Sequence, residues 1–251
     1  MIHVKDGNEV LDNLQPVASR GTGLEHWGSS YFGPRYSKEE ISSGPQSLMT
    51  QMFAGETILP HFHPVAQFQI FPSGTGVLGK TEVRPLVLQY KDHHSAYGPL
   101  TAGPHGLTFI SLRNRTGDSH PVYLKDPGYR EKLKPSKRRN WVSPNIPLST
   151  EAVLQFRKDV AWDPIYDPAK TTDEMNAHLL RLGGGMSTAG PDSRLGGGYY
   201  VFVANGEMEI DGKTLPRWSM VFVESGAGEV EIRAGRKGLE ALVMQFAKDD
   251  D

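Results

Sequence analysis

The stretch from Gly55 to Gly74 constrains the fold and the chemistry of this chain more than any other. It contains two histidines separated by one residue, His61 and His63, and a glutamine, Gln67, four residues further on. In an extended strand the side chains alternate between two faces, so residues an even number apart share a face. The three side chains are therefore predicted to converge on one point, each offering a nitrogen or an oxygen atom.

The rest of the sequence favours short β-strands. Apolar runs recur between glycine- and proline-rich turns, at 66–71, 83–90, 107–112, 199–204, 220–223 and 241–246. Gly74 is predicted to make the hairpin turn after the first of these runs, and one short helix is predicted at 149–160. The segments before and after residues 126–172 look like diverged copies of each other. We therefore predict an all-β protein.

Composition limits the chemistry that the chain can perform. No cysteine occurs among the 251 residues, so a bound metal would need nitrogen and oxygen ligands. The net charge of −2 provides no basic field for nucleic acid or for an anionic membrane surface. The N-terminus lacks the apolar run of a signal peptide, and no apolar run is long enough for a transmembrane helix. We expect a soluble, cytoplasmic protein.

The histidine-rich stretch resembles the first conserved motif of the cupin superfamily. That motif is a glycine, five residues, His-x-His, three or four residues, a glutamate, six residues and a glycine. Its positions are taken here, with glutamine in place of glutamate, by Gly55, His61, His63, Gln67 and Gly74. The second motif of the family has a proline–glycine turn, a histidine and a strand. Residues 97–106, followed by 107–114, resemble it with a turn one residue short. The resemblance implies two jelly-roll-like β-barrels in one chain.

The resemblance also implies one divalent transition metal in the N-terminal barrel. His61 and His63 would hold it together with a third histidine, for which His105 is expected and His94 or His93 are the alternatives. Iron is the favoured metal, and manganese, nickel, copper and zinc are alternatives. A set of three histidines without a carboxylate suits non-haem iron chemistry.

Three further residues are candidates for a catalytic role. Gln67 is expected to be a fourth metal ligand or to orient a substrate through a hydrogen bond. Tyr97 and Arg113 lie close in sequence to the proposed site, and an arginine on a barrel strand can bind a substrate carboxylate through two parallel hydrogen bonds.

The second copy lacks the metal-binding residues. Counting back from Gly206 by the same intervals leads to Tyr199, Leu195 and Ser193 in place of the glutamine and the two histidines. Side chains of these types do not form a transition-metal site together. The C-terminal barrel is therefore predicted to be metal-free.

The predicted organisation is an N-terminal arm at 1–44, a metal-binding cupin at 45–125, a connector at 126–172 and a second cupin at 173–251. The favoured function is a metal-dependent enzyme that acts on a small organic molecule, with a dioxygenase first and an isomerase or lyase second. A non-catalytic cupin that binds a small molecule is the alternative from another class. The resemblance also leads us to expect a homodimer.

Overall fold

The computed structural model describes residues 1–18, 25–35, 42–116 and 120–248. Its elements in the first half of the chain are β1 (Ile2–Lys5), α1 (Gly7–Asp12), β2 (Gln15–Ala18), β3 (Glu25–Phe32), β4 (Ser42–Met52), β5 (Thr57–Ile58), β6 (His61–Phe62), β7 (Gln67–Leu78), β8 (Thr81–Val83), β9 (Val87–Lys91), β10 (Leu100–Thr116), β11 (Val122–Tyr123), a 3₁₀ turn (Tyr129–Lys132) and β12 (Asn140–Val142). The second half contains α2 (Glu151–Gln155), β13 (Ala161–Pro164), a 3₁₀ turn (Pro168–Lys170), β14 (Asn176–Leu182), β15 (Ser187–Ala189), β16 (Tyr199–Ile210), β17 (Lys213–Leu215), β18 (Met220–Val223) and β19 (Glu231–Gln245).

The prediction of an all-β protein is confirmed, and each predicted apolar run lies in or overlaps a strand. The predicted helix is shorter than expected and ends at Gln155. Phe156 and Val160, beyond its end, are 67% and 41% exposed. Gly74 lies inside β7, and the hairpin turn between β7 and β8 falls at residues 79–80 instead. Within the described ranges, no helix is both long enough and apolar enough to cross a membrane.

The chain forms two compact units whose boundaries differ from those predicted. One unit spans Asn13–Ile146, and the other combines Met1–Asp12 with the chain from Pro147 onward. Strand pairing explains the difference. The start of the predicted arm, β1, pairs with β18, and β12, from the predicted connector, pairs with β9.

The N-terminal unit is built on an antiparallel sheet with the strand order β12-β9-β7-β10-β4-β3-β2. β5 pairs with β10, β8 pairs with β7, and the short strands β6 and β11 form a separate ladder. The C-terminal unit has the order β1-β18-β16-β19-β14-β13, with β15 on β19 and β17 on β16. The central orders β9-β7-β10-β4 and β18-β16-β19-β14 are equivalent, which agrees with two diverged copies.

The two units differ in what their equivalent strands carry. Directly paired residues on three neighbouring strands of the N-terminal unit are polar: Gln89, Gln69 and Ser111. Their equivalents in the C-terminal unit are apolar: Val221, Val201 and Val243. These valines belong to a buried apolar core. The N-terminal unit is therefore the half that carries a polar interior. Buried polar side chains cost free energy unless they are hydrogen-bonded.

Candidate functional site

A backbone bridge brings His61 and Tyr97 together. The His61 N–H donates to the Tyr97 carbonyl at 3.0 Å, and the Tyr97 N–H donates to the His61 carbonyl at 2.9 Å. Directly opposed residues of an antiparallel pair have neighbouring side chains on one face. The two ring centroids are accordingly 4.5 Å apart, and the Tyr97 hydroxyl lies 3.0 Å from His61 Nε2.

A chain of hydrogen bonds defines the protonation of this pair. His61 Nδ1 lies 2.7 Å from the Leu59 carbonyl, which can only accept, so Nδ1 carries the proton. Nε2 then accepts from the Tyr97 hydroxyl, whose oxygen accepts from Gln67 Nε2 at 2.6 Å. Burial lowers the pKa of His61 to about 4, with smaller contributions from the positive charges of Arg113 and Lys91. Burial also raises the pKa of Tyr97 to about 12, so both groups are neutral at neutral pH.

Arg113 lies beside the second histidine. Its Nη2 is 3.3 Å from His63 Nε2 and donates to Gln67 Oε1 at 3.0 Å, while Nη1 donates to Gln46 Oε1 at 2.5 Å. Burial holds the pKa of His63 well below its usual value, and the Arg113 charge lowers it further. His120, isolated in the sequence, adds a smaller effect of the same sign. A guanidinium is therefore fixed where the two imidazoles and the Gln67 amide converge.

These side chains face one cavity of about 100 Å³ in the N-terminal unit. Three imidazoles and two guanidinium groups contribute to its lining, from His26, His61, His63, Arg35 and Arg113. Tyr97, Phe109 and Ser111 also line it, and no carboxylate is found among the described lining residues. A cavity with basic groups and no acid in its wall favours an anionic ligand.

The structure brings together most of the predicted site residues. His61, His63, Tyr97 and Arg113 line the cavity, and Gln67 hydrogen-bonds Tyr97 and Arg113 beside it. His61, His63 and Gln67, the three polar members of the first motif, come together as predicted. Tyr97 and Arg113 were predicted to belong to the site only because they lie close to it in the sequence.

The structure places His105, the expected third ligand, away from the cavity lining. Its side chain is exposed and lies where the ladder between β10 and β7 is interrupted, between Ala102 and Leu107. The Gly-Pro-His-Gly segment contributes no residue to the described cavity lining. On the strand that follows, the residues that line the cavity are Phe109, Ser111 and Arg113.

The two alternative histidines also lie away from the cavity lining. His93 and His94 hydrogen-bond each other through Nδ1 atoms 2.8 Å apart, and the ring of His94 contacts that of Phe62. The His94 N–H donates to the His63 carbonyl at 2.7 Å. This segment supports the backbone of His63 and supplies no side chain to the site.

The donor set does not fit a three-histidine metal centre. Within the described residues, no three His, Cys, Asp or Glu side chains lie close enough to hold a metal ion together. A metal ligand must offer a lone pair, and the Nε2 lone pairs of His61 and His63 face a hydroxyl and a guanidinium. A divalent cation at this point would also be repelled by the charge of Arg113.

The sequence did not reveal several residues of the site. Gln46, His26 and Arg35 come from earlier in the chain, where nothing in the local sequence marks them, and Glu56 lies inside the first motif at a position to which no role was assigned. Lys91 carried a detectable signal, because it and Gln89 alternate with apolar residues as Gln67 and Gln69 do in the partner strand. Such alternation in an apolar barrel strand indicates a polar interior face.

Lys91 is buried next to the hydrogen-bonded chain. It pairs directly with Gln67 across β9 and β7, donates to the Ala96 carbonyl at 2.9 Å and lies 4.7 Å from the centroid of the Tyr97 ring. Burial lowers its pKa from 10.5 to about 7. Its ammonium group is thus held in an environment that disfavours the charge.

The Lys91→Met variant is expected to show a flatter pH dependence of stability than the wild type. The unfolded chain binds the Lys91 proton more tightly than the native state does, so the free energy of unfolding should rise from pH 7 to pH 10.5. We expect this rise to be larger by about 2 kcal/mol in the wild type than in the variant. Denaturant unfolding across this range measures it, with exposed Lys80→Met as the control. Equal slopes in all three proteins would show that Lys91 titrates normally.

Solved structures of known proteins share this architecture along the whole chain. A candidate dioxygenase from Nostoc punctiforme has a TM-score of 0.63 and 11% identity, covering 100% of this chain and 84% of its own. A bacterial pirin from Escherichia coli, in complex with nickel(II), has a TM-score of 0.58 and 13% identity, covering 99% and 100%. Salicylate 1,2-dioxygenase from Pseudoaminobacter salicylatoxidans, with gentisate adducts, has a TM-score of 0.59 and 16% identity, covering 98% and 81%.

These likenesses define the class of fold. Neither a protein-family model nor a curated protein matches the sequence. The structural neighbours are cupin-fold proteins, and the chain is an all-β protein with the cupin jelly-roll fold. At identities of 10–16% the likeness extends to the fold alone, and function has to be argued from the cavity itself.

Proposed function

We propose that the N-terminal barrel binds a small organic acid, with Arg113 as the anchor for its carboxylate. The observation that carries this proposal is the position of the Arg113 guanidinium, which lines the cavity and is held by Gln46, Gln67 and His63. A planar guanidinium in a fixed orientation matches a carboxylate with two parallel hydrogen bonds. Partners on the protein side fix that orientation before a ligand arrives, which lowers the entropic cost of binding.

The size of the cavity limits the ligand. Its volume is about 100 Å³, whereas an apolar cavity of roughly 150 Å³ admits benzene. Benzene has six non-hydrogen atoms, so a cavity of two-thirds that volume encloses about four, as many as acetate has. A larger molecule would have to extend beyond the cavity.

A second candidate is the metal-dependent enzyme, with the dioxygenase as its favoured form. The observation in its favour is the protonation of His61, whose Nδ1–H donates to Leu59 and leaves Nε2 as the atom a metal would need. His61 and His63 would hold the metal, and Gln67 would be a further ligand. Iron is again favoured over manganese, nickel, copper and zinc. The Arg113 and Tyr97 side chains would have to turn away first. The isomerase or lyase alternative requires the same metal.

Removal of metal separates the two candidates. After treatment with a chelator and dialysis, we expect the protein to bind acetate, pyruvate or oxalate with a dissociation constant within about twofold of the untreated value, because protein groups alone form the site. Titration calorimetry measures the affinity, and elemental analysis of wild type and His61→Ala measures bound metal. Affinity that is lost on metal removal and restored by iron, manganese or nickel would support the metal-dependent enzyme instead.

A further inference from the structure

A buried carboxylate and imidazole form a second pair of functional groups in the N-terminal unit. His26 lies on β3 two residues before Gly28, which pairs directly with the cavity-lining Thr50 of β4. Residues two apart on a strand share a face, which explains why the His26 imidazole also lines the cavity. Its Nδ1 is 3.3 Å from Glu56 Oε1, and both side chains are less than 10% exposed.

Glu56 is held firmly in place. Its Oε2 accepts from the Phe53 N–H at 3.1 Å, its own N–H donates to the Phe53 carbonyl at 3.1 Å, and its carbonyl accepts from the Ala102 N–H at 2.8 Å. Neither Glu56 Oε1 nor His26 Nδ1 has a hydrogen-bond partner among the described residues. Burying a carboxylate costs free energy, and no described arginine or lysine pairs with Glu56 to offset that cost.

The pair contains the two groups of a carboxylate–histidine base, with Nδ1 and Oε1 3.3 Å apart and not hydrogen-bonded to each other in the structure. A carboxylate facing Nδ1 favours the tautomer with the proton on Nδ1, so that Nε2 carries the lone pair. The carboxylate also stabilises the imidazolium that forms when Nε2 takes a proton. His26 and Arg113 line the same cavity of about 100 Å³, so a ligand anchored by Arg113 is confined close to His26.

We propose that His26, oriented by Glu56, is the general base of this cavity and that its substrate class is the small 2-oxo acids. The inference rests on the proposed function, because Arg113 would anchor the carboxylate of the same ligand. A 2-oxo acid with a hydrogen on its third carbon combines a carboxylate with a weakly acidic C–H bond. Pyruvate, with six non-hydrogen atoms, is a small member of the class, and part of it would extend beyond the cavity.

The step is a proton transfer. His26 Nε2 forms a bond to the proton, the C–H bond of the third carbon breaks, and its electron pair moves into the enolate, whose charge rests on the 2-oxo oxygen. The imidazolium is stabilised by the Glu56 carboxylate. Return of a proton from the imidazolium restores the acid. In deuterated water the bound proton is replaced by a deuteron, so the cycle exchanges the methyl hydrogens of pyruvate without any other reactant.

Exchange of the pyruvate methyl group in D₂O, followed by proton NMR, tests the inference. We expect wild-type protein to exchange it faster than buffer, and His26→Asn and Glu56→Gln to lose at least about 100-fold of that excess. Pyruvate affinity should change by less than about threefold, since Arg113 supplies the anchor. His178→Gln, at a partly buried histidine of the other unit, is the control and should exchange as wild type does.

A second readout reports the positioning role of Glu56 directly. Long-range proton–nitrogen NMR should show His26 protonated on Nδ1 in wild type and on Nε2 in Glu56→Gln, because the amide offers a donor to Nδ1. If Glu56→Gln does not fold, His26→Asn and His26→Gln decide the exchange test. If pyruvate binds without exchange, or if loss of the His26 imidazole leaves the exchange unchanged, the general-base role of His26 is wrong and the proposed function still stands. If pyruvate does not bind, the proposed substrate class is wrong. If acetate and oxalate do not bind either, the proposed function is wrong as well.

Discussion

The Arg113→Met variant is expected to bind acetate, pyruvate or oxalate at least about 100-fold more weakly than the wild type. Arg113 is 3% exposed, and its hydrogen bonds to Gln46 and Gln67 hold the guanidinium at the cavity wall. A carboxylate bound there would lose its charged partner in a poorly solvated place, where such a loss costs about 2–5 kcal/mol. Titration calorimetry with each acid measures the change.

Two further variants show whether charge or geometry matters. Arg113→Lys keeps the positive charge but not the planar fork, so we expect an affinity between those of the wild type and Arg113→Met. Arg84→Met removes an exposed arginine that pairs with Glu82, and it should bind as the wild type does. Wild-type affinity in Arg113→Met would show that the acid binds elsewhere.

Stability must be measured on the same proteins. Removing the guanidinium leaves acceptors on Gln46, Gln67 and His63 without this donor, and each unsatisfied buried group costs about 1–3 kcal/mol. Arg113→Met is therefore expected to be less stable than Arg113→Lys. Circular dichroism of both variants ensures that a loss of affinity is read only from folded protein.

Gly74→Ala is expected to destabilise the N-terminal unit far more than Gly55→Ala, although both glycines belong to the same motif. Both have positive φ angles, 77° at Gly74 and 73° at Gly55, which cost a residue with a Cβ atom about 1 kcal/mol. At Gly74 a Cβ atom would also lie 2.4 Å from the Gly106 carbonyl oxygen and 2.8 Å from Leu107 Cα. At Gly55 nothing lies within 4 Å of that position.

The difference in stability loss between the two variants measures the effect of the close approach of the strands at Gly74. We expect a loss of about 3 kcal/mol or more for Gly74→Ala and about 1 kcal/mol for Gly55→Ala. Denaturant unfolding followed by the fluorescence of the tryptophans measures both. Equal losses would mean that β7 and the Gly-Pro-His-Gly segment of β10 are further apart than the structure shows.

Several features of the fold and the site could be predicted from the sequence because they depend on residues that are close together along the chain. The proximity of His61, His63 and Gln67 could be predicted from the first motif, although they do not share one strand, because β6 ends at Phe62 and β7 begins at Gln67. The alternation of apolar and turn-forming residues likewise predicted the strands. The comparison of the two segments predicted a metal-free C-terminal barrel, and the equivalent strands there carry apolar residues where the N-terminal strands carry polar ones.

Other features were predicted differently or were not predicted, because they depend on which strands pair with each other. His105 has a suitable residue type in a suitable turn, yet the interruption of the β10–β7 ladder exposes its side chain. No local pattern reveals where such an interruption falls. The unit boundaries differ for the same reason, because β1 and β12 join sheets whose other strands lie far away in the sequence.

The sequence by itself determined the all-β fold and the proximity of His61, His63 and Gln67 in its histidine-rich stretch. Only the tertiary structure decided what meets them. A backbone bridge sets Tyr97 opposite His61, and β10 carries the Arg113 guanidinium to His63 across a separation of 50 residues. The side chain that completes a site comes from a neighbouring strand, and the register between strands is fixed by hydrogen bonds and packing along their whole length. That register sets Tyr97 and Arg113 against the two histidines and gives the cavity its basic lining.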